Sequence, residues 1–256
     1  MQTKTDTFRL DGKTALVTGG GKGIGLAITR HLAHVGATVI ITGRNEASLI
    51  EACRISGSKV SYVVSDITDY NSSKKLVDTI AREHKNIDIL VNNAGVNLKK
   101  WAIETSAEEF EKILTTNLTG VHVLTSLVLK QWMIPQKSGS IIFLASMASL
   151  FGIPQVIAYA SAKSGLIGLM RTLAVEVGQY QIRSNAIAPG WIETDMSAKA
   201  MASDPKRKEK IINRTPLSRF GSVDDIGSTC VFLASDASSF ITGAIIPVDG
   251  GVSIGF

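Results

Sequence analysis

Residues 13–25 read KTALVTGGGKGIG, a short apolar run that leads directly into a glycine-rich turn. The run from Lys13 to Thr18 is unbroken, which is typical of a strand that is buried on both faces of a parallel sheet. A helical pattern follows at once and covers about Gly23 to Val35. A buried strand, a tight turn and a helix in this order predict the first unit of an α/β fold.

The same alternation continues through the rest of the chain. Further apolar runs are separated by helical patterns, and they cover residues 37–42, 59–65, 87–91, 140–145, 183–188 and 244–248. Parallel strands joined by right-handed helical crossovers build a doubly wound sheet. We therefore predict a single Rossmann-type α/β domain over residues 1–256, with seven parallel strands and helices on both faces. The polar, basic and irregular segment at about 194–216 is predicted to be a small substrate lid.

Composition excludes several other classes of protein. Hydrophobic residues make up 45% of the 256 residues, and 23 glycines stand against six prolines, which favours a large core over a disordered chain. Cys53 and Cys230 lie far apart and neither has zinc-binding spacing, so we expect reduced thiols and a cytoplasmic location. His31 and His34 are three residues apart but have no third ligand nearby in sequence, so no metal site is predicted.

The charges are mildly basic and scattered. The formal net charge is +5, and the only dense cluster is Lys206–Lys210. A nucleic-acid-binding surface is more concentrated and carries a recognisable motif, so no nucleic-acid partner is expected, whereas an anionic small molecule explains the excess equally well. Residues 138–162 carry no charge, yet serine, glycine and proline interrupt them, which a membrane-spanning helix tolerates poorly. We expect no membrane partner and, from the polar first ten residues, no signal peptide.

The glycine turn predicts a phosphate site. Its spacing is TGxxxGxG, and the helix that follows offers unpaired N–H groups and a partial positive charge to a pyrophosphate. No GK[ST] sequence of a Walker motif is present in the turn, which disfavours a kinase or ATPase. The residues predicted to bind the nucleotide here are Gly19, Gly21, Lys22, Gly23, Ile24 and Gly25.

The end of the second strand indicates which dinucleotide is bound. NAD-binding sites usually place Asp or Glu there to hold the ribose hydroxyls. This chain has Thr42-Gly43-Arg44 instead, and Lys22 lies in the neighbouring turn. Two cations without an anion favour a 2′-phosphate, so we predict that NADP(H) is preferred over NAD(H).

A second group of residues predicts acid–base chemistry. Tyr159 and Lys163 are four apart in a helical pattern and therefore share a face. A nearby cation favours the phenolate and is expected to lower the tyrosine pKa from its unperturbed value of about 10. Ser146 ends the preceding apolar strand, where a parallel sheet opens its ligand crevice. Asn117, in the predicted long helix 107–133, is the remaining polar candidate for that crevice.

At these positions the chain resembles the short-chain dehydrogenase/reductase family, and it does so over nearly its whole length. The matching elements are TGGGKGIG at 18–25, Asp66, NNAG at 92–95, Asn117, Ser146, YASAK at 159–163 and Pro189-Gly190 with Thr194. The resemblance implies a catalytic tetrad of Asn117, Ser146, Tyr159 and Lys163. It implies proton exchange at Tyr159, a substrate oxygen held by Ser146, ribose contacts of Lys163 and a water held by Asn117.

The resemblance also implies the remaining cofactor contacts. Asp66 is expected to read the adenine amine, Asn93 and Gly95 to line the adenosine side, and Ile192 and Thr194 to hold the carboxamide. The full set that it adds is Asp66, Ile67, Asn93, Ala94, Gly95, Pro189, Gly190, Ile192 and Thr194, together with Tyr159 and Lys163.

The substrate remains open between two subgroups of the family. NLTG at 117–120, TGRN at 42–45 and RTP at 214–216 are similar to gluconate 5-dehydrogenases, and Asn97, Lys99 and Lys100 suit a hydroxylated or carboxylate substrate. PGWIETDM at 189–196 is similar to 3-oxoacyl-carrier-protein reductases. We favour the small hydroxylated or sugar-acid substrate. The alternatives are reduction of a β-keto thioester and a non-catalytic NADP-binding regulator.

The two longest helical patterns also bear on assembly. Residues 107–133 and 156–177 are more apolar than one face of a sheet requires. The resemblance implies that these helices pair between subunits, so a homo-oligomer, either a tetramer or a dimer, is expected.

Overall fold

The computed structural model describes residues 6–194 and 205–255. One parallel sheet runs through them, with the strand order β3-β2-β1-β4-β5-β6-β7. The order reverses between β1 and β4, and this reversal opens a crevice at the carboxyl ends of these two strands. The strands are β1 Thr14–Thr18, β2 Thr38–Gly43, β3 Val60–Val64, β4 Ile89–Asn92, β5 Gly139–Leu144, β6 Ile182–Pro189 and β7 Ile245–Val248.

Helices connect the strands and cover both faces of the sheet. They are α1 Gly23–His34, α2 Glu46–Ser56, α3 Tyr70–Glu83, α4 Ala107–Leu114, α5 Gly120–Val128, α6 Ile134–Gln136, α7 Ile157–Val177, α8 Pro205–Arg214 and α9 Val223–Ala234. Between α4 and α5, and again between α5 and α6, the helix widens without a break into π-turns at Thr115–Thr119 and Leu129–Met133.

Two hydrophobic cores result from the alternation of side chains along each strand. In β1, Leu16 packs into the core shared with α3, α5 and α7, whereas Ala15 and Val17 pack into the core shared with α1, α2 and α9. In β5, Phe143 and Ile142 divide in the same way. Strands that are buried on both faces explain why the apolar runs are continuous, and the predicted doubly wound fold is confirmed.

The last third of the chain differs from the sequence prediction in one place. The segment 194–216 was expected to be irregular, but Pro205–Arg214 forms the helix α8. Residues 195–204 lie outside the described residues, so the predicted lid is described only in part. Within the described ranges, no helix combines the length and apolar character needed to cross a membrane.

Candidate active site

A cleft lies at the carboxyl edge of the sheet, on either side of β1. Loops that follow β1, β2, β3 and β4 form its walls. Its lining residues are Thr18, Gly19, Thr42, Gly43, Arg44, Ser65, Asp66, Ile67, Ser73, Leu76, Ala94, Gly95, Val96, Thr116 and Leu124.

The glycine turn is held against the loop after β4 by a network of hydrogen bonds. The Thr18 hydroxyl accepts from the backbone N–H groups of Asn93 and Ala94, both at 3.0 Å. The Asn93 amide donates to the carbonyl oxygens of Thr18 at 2.9 Å and Gly19 at 3.2 Å. Asn93, which was expected to line the adenosine side, therefore uses its amide N–H groups to fix the turn itself.

The backbone of this turn favours glycine, as Gly19 and Gly25 illustrate. Gly19 has φ +66°, a left-handed conformation that disfavours a side chain. A Cβ at Gly25 would overlap the Gly19 carbonyl and lie 2.6 Å from the Asn93 amide nitrogen. The first turn of α1 therefore approaches the loop as closely as backbone atoms permit.

The residue at the N-cap position of α1 does not cap the helix with its own side chain. Asn45, Asp69, Ser106 and Ser222 cap α2, α3, α4 and α9, whereas Lys22 at the α1 N-cap position makes no such bond. Uncapped N–H groups at a helix start form an anion site. A Cβ built at Gly23 would lie 3.8 Å from the Thr194 methyl group, so the chain after β6 reaches this same turn.

The far end of the cleft carries Arg44 and Asp66. The Asp66 carboxylate accepts from the Thr68 backbone N–H at 2.9 Å and the Thr68 hydroxyl at 2.8 Å. Two further lining residues, Thr42 and Ser73, are 4% and 1% exposed, and their hydroxyls find no hydrogen-bond partner among residues 6–194 and 205–255. These two oxygens are themselves buried beside the cleft, so a ligand reaches them only after a rotation of the side chain. Arg44 lines the cleft, but Lys22, the second predicted cation, is exposed and is not among the lining residues.

Asn117 lies within the first π-turn and is fully buried. Its Oδ1 accepts from the Val96 N–H and its Nδ2 donates to the Val96 carbonyl, both at 2.8 Å. Single π-turns inside α-helices are frequent at functional sites, because the extra residue redirects a side chain. Here the redirected amide binds the loop that follows β4.

Lys163 reaches the same point from α7. A Cβ at Gly95 would lie 3.3 Å from the Asn117 Oδ1 and 3.6 Å from the Lys163 Nζ, so these two side chains lie close together beside Gly95. Lys163 is 4% exposed and donates to the Leu144 carbonyl at the end of β5. Burial lowers the pKa of its ammonium from 10.5 to about 8.

Tyr159 and Ser146 complete the cluster. The Lys163 Nζ lies 5.7 Å from the centroid of the Tyr159 ring. Ser146, at the end of β5, is buried and accepts from the Ala148 N–H at 3.1 Å. The four residues of the predicted tetrad thus come from the π-turn, the end of β5 and one face of α7.

The Tyr159 pKa shifts in the direction opposite to the one that the sequence predicted. Burial is the largest effect and raises the pKa above its ordinary value, while a hydrogen bond with the Ser146 side chain lowers it by less. The Tyr–Lys spacing alone led us to expect that the cation would dominate. The Lys163 ammonium instead donates to a backbone carbonyl, and desolvation of the phenol outweighs it.

The predicted residues after β6 lie against the next strand. The Gly190 N–H donates to the Val248 carbonyl at 3.0 Å, and a Cβ at Gly190 would lie 2.6 Å from the Asp249 Cα. Ile192 is buried and forms a bridge with Gly221. Pro189, Gly190 and Ile192 therefore border this edge of the sheet but do not line the cleft.

Two of the charged groups named from sequence are already paired. The Lys100 ammonium binds both carboxylate oxygens of Glu109, at 2.9 and 3.0 Å, so its charge is neutralised within the chain. His31 binds the Ala27 carbonyl through Nδ1 at 2.9 Å and lies 3.8 Å from Asp224. Among the described residues no three His, Cys, Asp or Glu side chains converge as a metal site.

Several lining residues were missed by the sequence reasoning. Ser65 and Thr116 directly precede Asp66 and Asn117, and Val96 directly follows Gly95. These three residues could have been predicted from the sequence because each is the direct neighbour of a residue already assigned to the site. For Thr18, the signal was its place at the last position of β1, where a parallel sheet exposes its ligand edge.

Comparison with known proteins assigns the chain to a family. A family model described as enoyl-(acyl carrier protein) reductase matches residues 19–253. The chain is 39% identical to 3-oxoacyl-(acyl-carrier-protein) reductase FabG of Thermotoga maritima over 250 residues, 96% of this chain and 100% of that protein. It is 40% identical to 2-dehydro-3-deoxy-D-gluconate 5-dehydrogenase of Bacillus subtilis over 248 residues, 96% of each chain.

A solved structure supports the same assignment. The gluconate 5-dehydrogenase of Burkholderia cenocepacia J2315, solved in complex with NADP and tartrate, superposes with a TM-score of 0.92 at 33% identity, covering 98% of this chain and 99% of that one. Agreement of sequence and fold over nearly the whole length shows that this protein is an oxidoreductase of the short-chain dehydrogenase/reductase family.

Proposed function

We propose that this protein interconverts a secondary alcohol and a ketone by hydride transfer with NADP(H), and that its substrate is a small hydroxylated acid of the gluconate type. The observation that supports this most is the convergence of Asn117 and Lys163 beside Gly95, at the edge of a cleft suited to a dinucleotide. Ribose binding alone would account for a lysine there, but an enzyme also needs its charge beside Tyr159, and the Lys163 Nζ lies 5.7 Å from the centroid of that ring.

The residues of the cleft fit a dinucleotide. The uncapped start of α1 suits a pyrophosphate, and the unpaired hydroxyls of Thr42 and Ser73 suit polar groups of the adenosine half. Arg44 would bind a 2′-phosphate, which supports NADP(H) over NAD(H). The other predicted contacts, from Asp66 to Thr194, would hold the adenine and nicotinamide ends.

Tyr159 and Ser146 of the tetrad would act directly on the substrate oxygen. When bound, the nicotinamide supplies or accepts the hydride. Tyr159 donates a proton to the carbonyl oxygen during reduction and removes it from the hydroxyl during oxidation, while Ser146 holds the same oxygen by a hydrogen bond. The raised Tyr159 pKa keeps the phenol protonated at neutral pH, which suits a proton donor.

Lys163 and Asn117 support the tyrosine. With a pKa of about 8, Lys163 is mostly an ammonium at neutral pH, and its charge stabilises the phenolate that forms when Tyr159 gives up its proton. Asn117 fixes the loop at Val96 and keeps a second lone pair on Oδ1 for a water between it and Lys163.

The names of the relatives favour two substrates. Gluconate-type enzymes include the Burkholderia protein, whose structure holds NADP and tartrate, and this supports a small hydroxy acid. The Thermotoga relative is named for a 3-oxoacyl thioester, and the exposed lysines of α8 are the feature here that would suit an acidic carrier protein. Assays of gluconate oxidation and of acetoacetyl-thioester reduction, followed by NADPH absorbance, separate the two.

Replacement of Tyr159 tests the reaction itself. Tyr159→Phe is expected to reduce turnover by at least about 10²-fold, because it removes the acid–base group, while NADPH binding measured by fluorescence stays unchanged. Near-normal turnover in this variant would defeat the assignment. NADPH binding without turnover of any carbonyl in a broad panel would instead support the non-catalytic regulator.

We propose further that the chain is a single cytoplasmic domain that assembles into a homo-oligomer. Val175 on α7 is 84% exposed and Ile157 on the same helix is 43% exposed, which suits a helix that pairs with a second copy. Size-exclusion chromatography with light scattering measures the state, and a monomer would contradict the proposal.

A further inference from the structure

One face of α8 forms a basic groove outside the tetrad. Residues spaced three or four apart along the helix line a shallow, open groove, namely Lys206, Glu209, Lys210, Asn213 and Arg214. Three cations face one carboxylate, so the groove attracts anions. A charged helix face is common on protein surfaces, but Arg214, at the end of α8, also makes a specific contact.

Arg214 closes the groove with its guanidinium over an aromatic ring. The Cζ atom lies 5.1 Å from the centroid of Phe151, a cation–π distance. Stacking uses the flat face of the guanidinium and leaves its in-plane N–H groups available. Within residues 6–194 and 205–255, the Arg214 side chain makes no hydrogen bond or ion pair, whereas Arg219 nearby is bound to Asp225.

Phe151 belongs to the loop that connects Ser146 to Tyr159. The backbone N–H of Phe151 donates to the Met147 carbonyl at 3.2 Å, which ties the backbone of this residue to the turn that begins at Ser146. The other end of the loop is fixed because Gln155 accepts from the Lys100 N–H at 2.8 Å. The arginine is therefore stacked on the segment that carries both proposed substrate contacts.

Arg214 is itself well anchored. The next residue, Thr215, is buried, and its hydroxyl donates to the Ile211 carbonyl at 2.8 Å. Lys100, which the sequence suggested as a partner for a carboxylate, is neutralised by Glu109. In the described part of these loops, Arg214 and the exposed Lys99 are cations that no carboxylate pairs, and either could face an anionic substrate.

We infer that Arg214 binds the carboxylate of the substrate and so determines specificity for hydroxy acids over neutral polyols. This inference rests on the proposed function. A planar guanidinium held on one face matches the two oxygens of a carboxylate, and the stacking on Phe151 reduces the freedom that it loses on binding.

A pair of matched substrates tests this inference. Gluconate and gluconamide differ in charge at one end and keep the same hydroxyls. We expect Arg214→Met to lower kcat/KM for gluconate by about 10- to 100-fold, mainly through KM, because a charge-assisted hydrogen bond is lost. The value for gluconamide should stay within about twofold. Arg214→Lys should recover part of the loss, and Lys208→Met, an equal change of charge on the same helix, should have little effect.

Other outcomes overturn the inference. An equal loss on both substrates assigns Arg214 a purely structural contact with Phe151, and loss of the preference for gluconate in Lys99→Met but not in Arg214→Met assigns the carboxylate to Lys99. Calorimetric titration of gluconate into the NADP⁺-saturated protein reads the same contact without turnover. The wild type could bind gluconate without turning it over, and Arg214→Met could weaken this binding. That result would refute the proposed reaction but support the inference about Arg214. A wild type that binds neither gluconate nor tartrate would refute the inference itself.

Discussion

The buried Lys163 makes the free energy of unfolding depend on pH. One substitution, Lys163→Met, removes this contribution and so allows it to be measured. Its pKa is lowered from 10.5 to about 8 because the side chain is desolvated on α7. Lys163→Met keeps an unbranched chain of similar length and removes the titration. The comparison of wild type with this variant therefore cancels the other ionisable groups to first order.

The sign and size of the effect follow from proton linkage. Between pH 8 and pH 10.5 the unfolded chain keeps a proton that folded Lys163 has released, so stability rises with pH in this window. Below pH 8 the full penalty of the buried charge applies. The lowered pKa corresponds to about 3 kcal/mol across the window, and about 2 kcal/mol of this should appear by pH 9.5.

Urea unfolding followed by circular dichroism at pH 7, 8 and 9.5 measures this difference. Protein concentration must be fixed, because association adds to apparent stability. We expect wild type to gain about 2 kcal/mol relative to Lys163→Met between the lowest and highest pH. The series stops at pH 9.5, below the ordinary tyrosine pKa of about 10, so that the titration of Tyr159 in the unfolded chain adds only a small effect, which both proteins share. If the difference in free energy of unfolding between wild type and Lys163→Met stays constant with pH, the claim that Lys163 is strongly desolvated is refuted.

Three further substitutions test other parts of the site. Arg44→Ser should raise the Kd for NADPH by about 10- to 100-fold in fluorescence titrations and leave NADH unchanged, since the lost contact is to the 2′-phosphate; an equal effect on both would contradict this. Asn117→Ala removes two buried 2.8 Å hydrogen bonds with Val96 and should lower the free energy of unfolding in urea by about 2–4 kcal/mol, and a neutral result would show that the π-turn stands without them. Gly25→Ala places a Cβ 2.6 Å from the Asn93 amide and should cost at least about 1–3 kcal/mol, whereas Gly178→Ala, with nothing within 4 Å of the new Cβ, should be neutral or stabilise by up to about 1 kcal/mol in thermal melts.

The fold was predictable because its signal is local and repeated. Each strand is an unbroken apolar run, and the alternation seen at Ala15, Leu16 and Val17 serves two cores at once. The ends of most elements agree with the prediction to within about two residues. The bounds of helix α8 were not predicted, because its sequence, PKRKEKIINR, offers only a narrow apolar side.

The arrangement of the site was predictable only in outline. The tetrad residues could be named from spacing and resemblance, but the π-turn at Asn117 depends on bonds to Val96, which is distant in sequence. The pairing of Lys100 with Glu109 and the use of the Asn93 amide inside the glycine turn are likewise tertiary. Such contacts leave no periodic trace in a sequence.

The distribution of unfavourable local features favours an enzyme over a protein that only binds a nucleotide. The unpaired hydroxyls of Thr42 and Ser73 and the uncapped α1 lie around the nucleotide cleft, and any dinucleotide-binding protein would retain them. The desolvated Lys163 and the π-turn at Asn117 lie beside Gly95, and of the two roles proposed for Lys163, ribose binding and support of Tyr159, only the second is specific to an enzyme. A penalty of about 3 kcal/mol is a large part of the net stability of a typical domain. Its retention is explained if the ammonium is needed to stabilise the charge that Tyr159 acquires during proton transfer, since locally unfavourable choices tend to persist at functional sites.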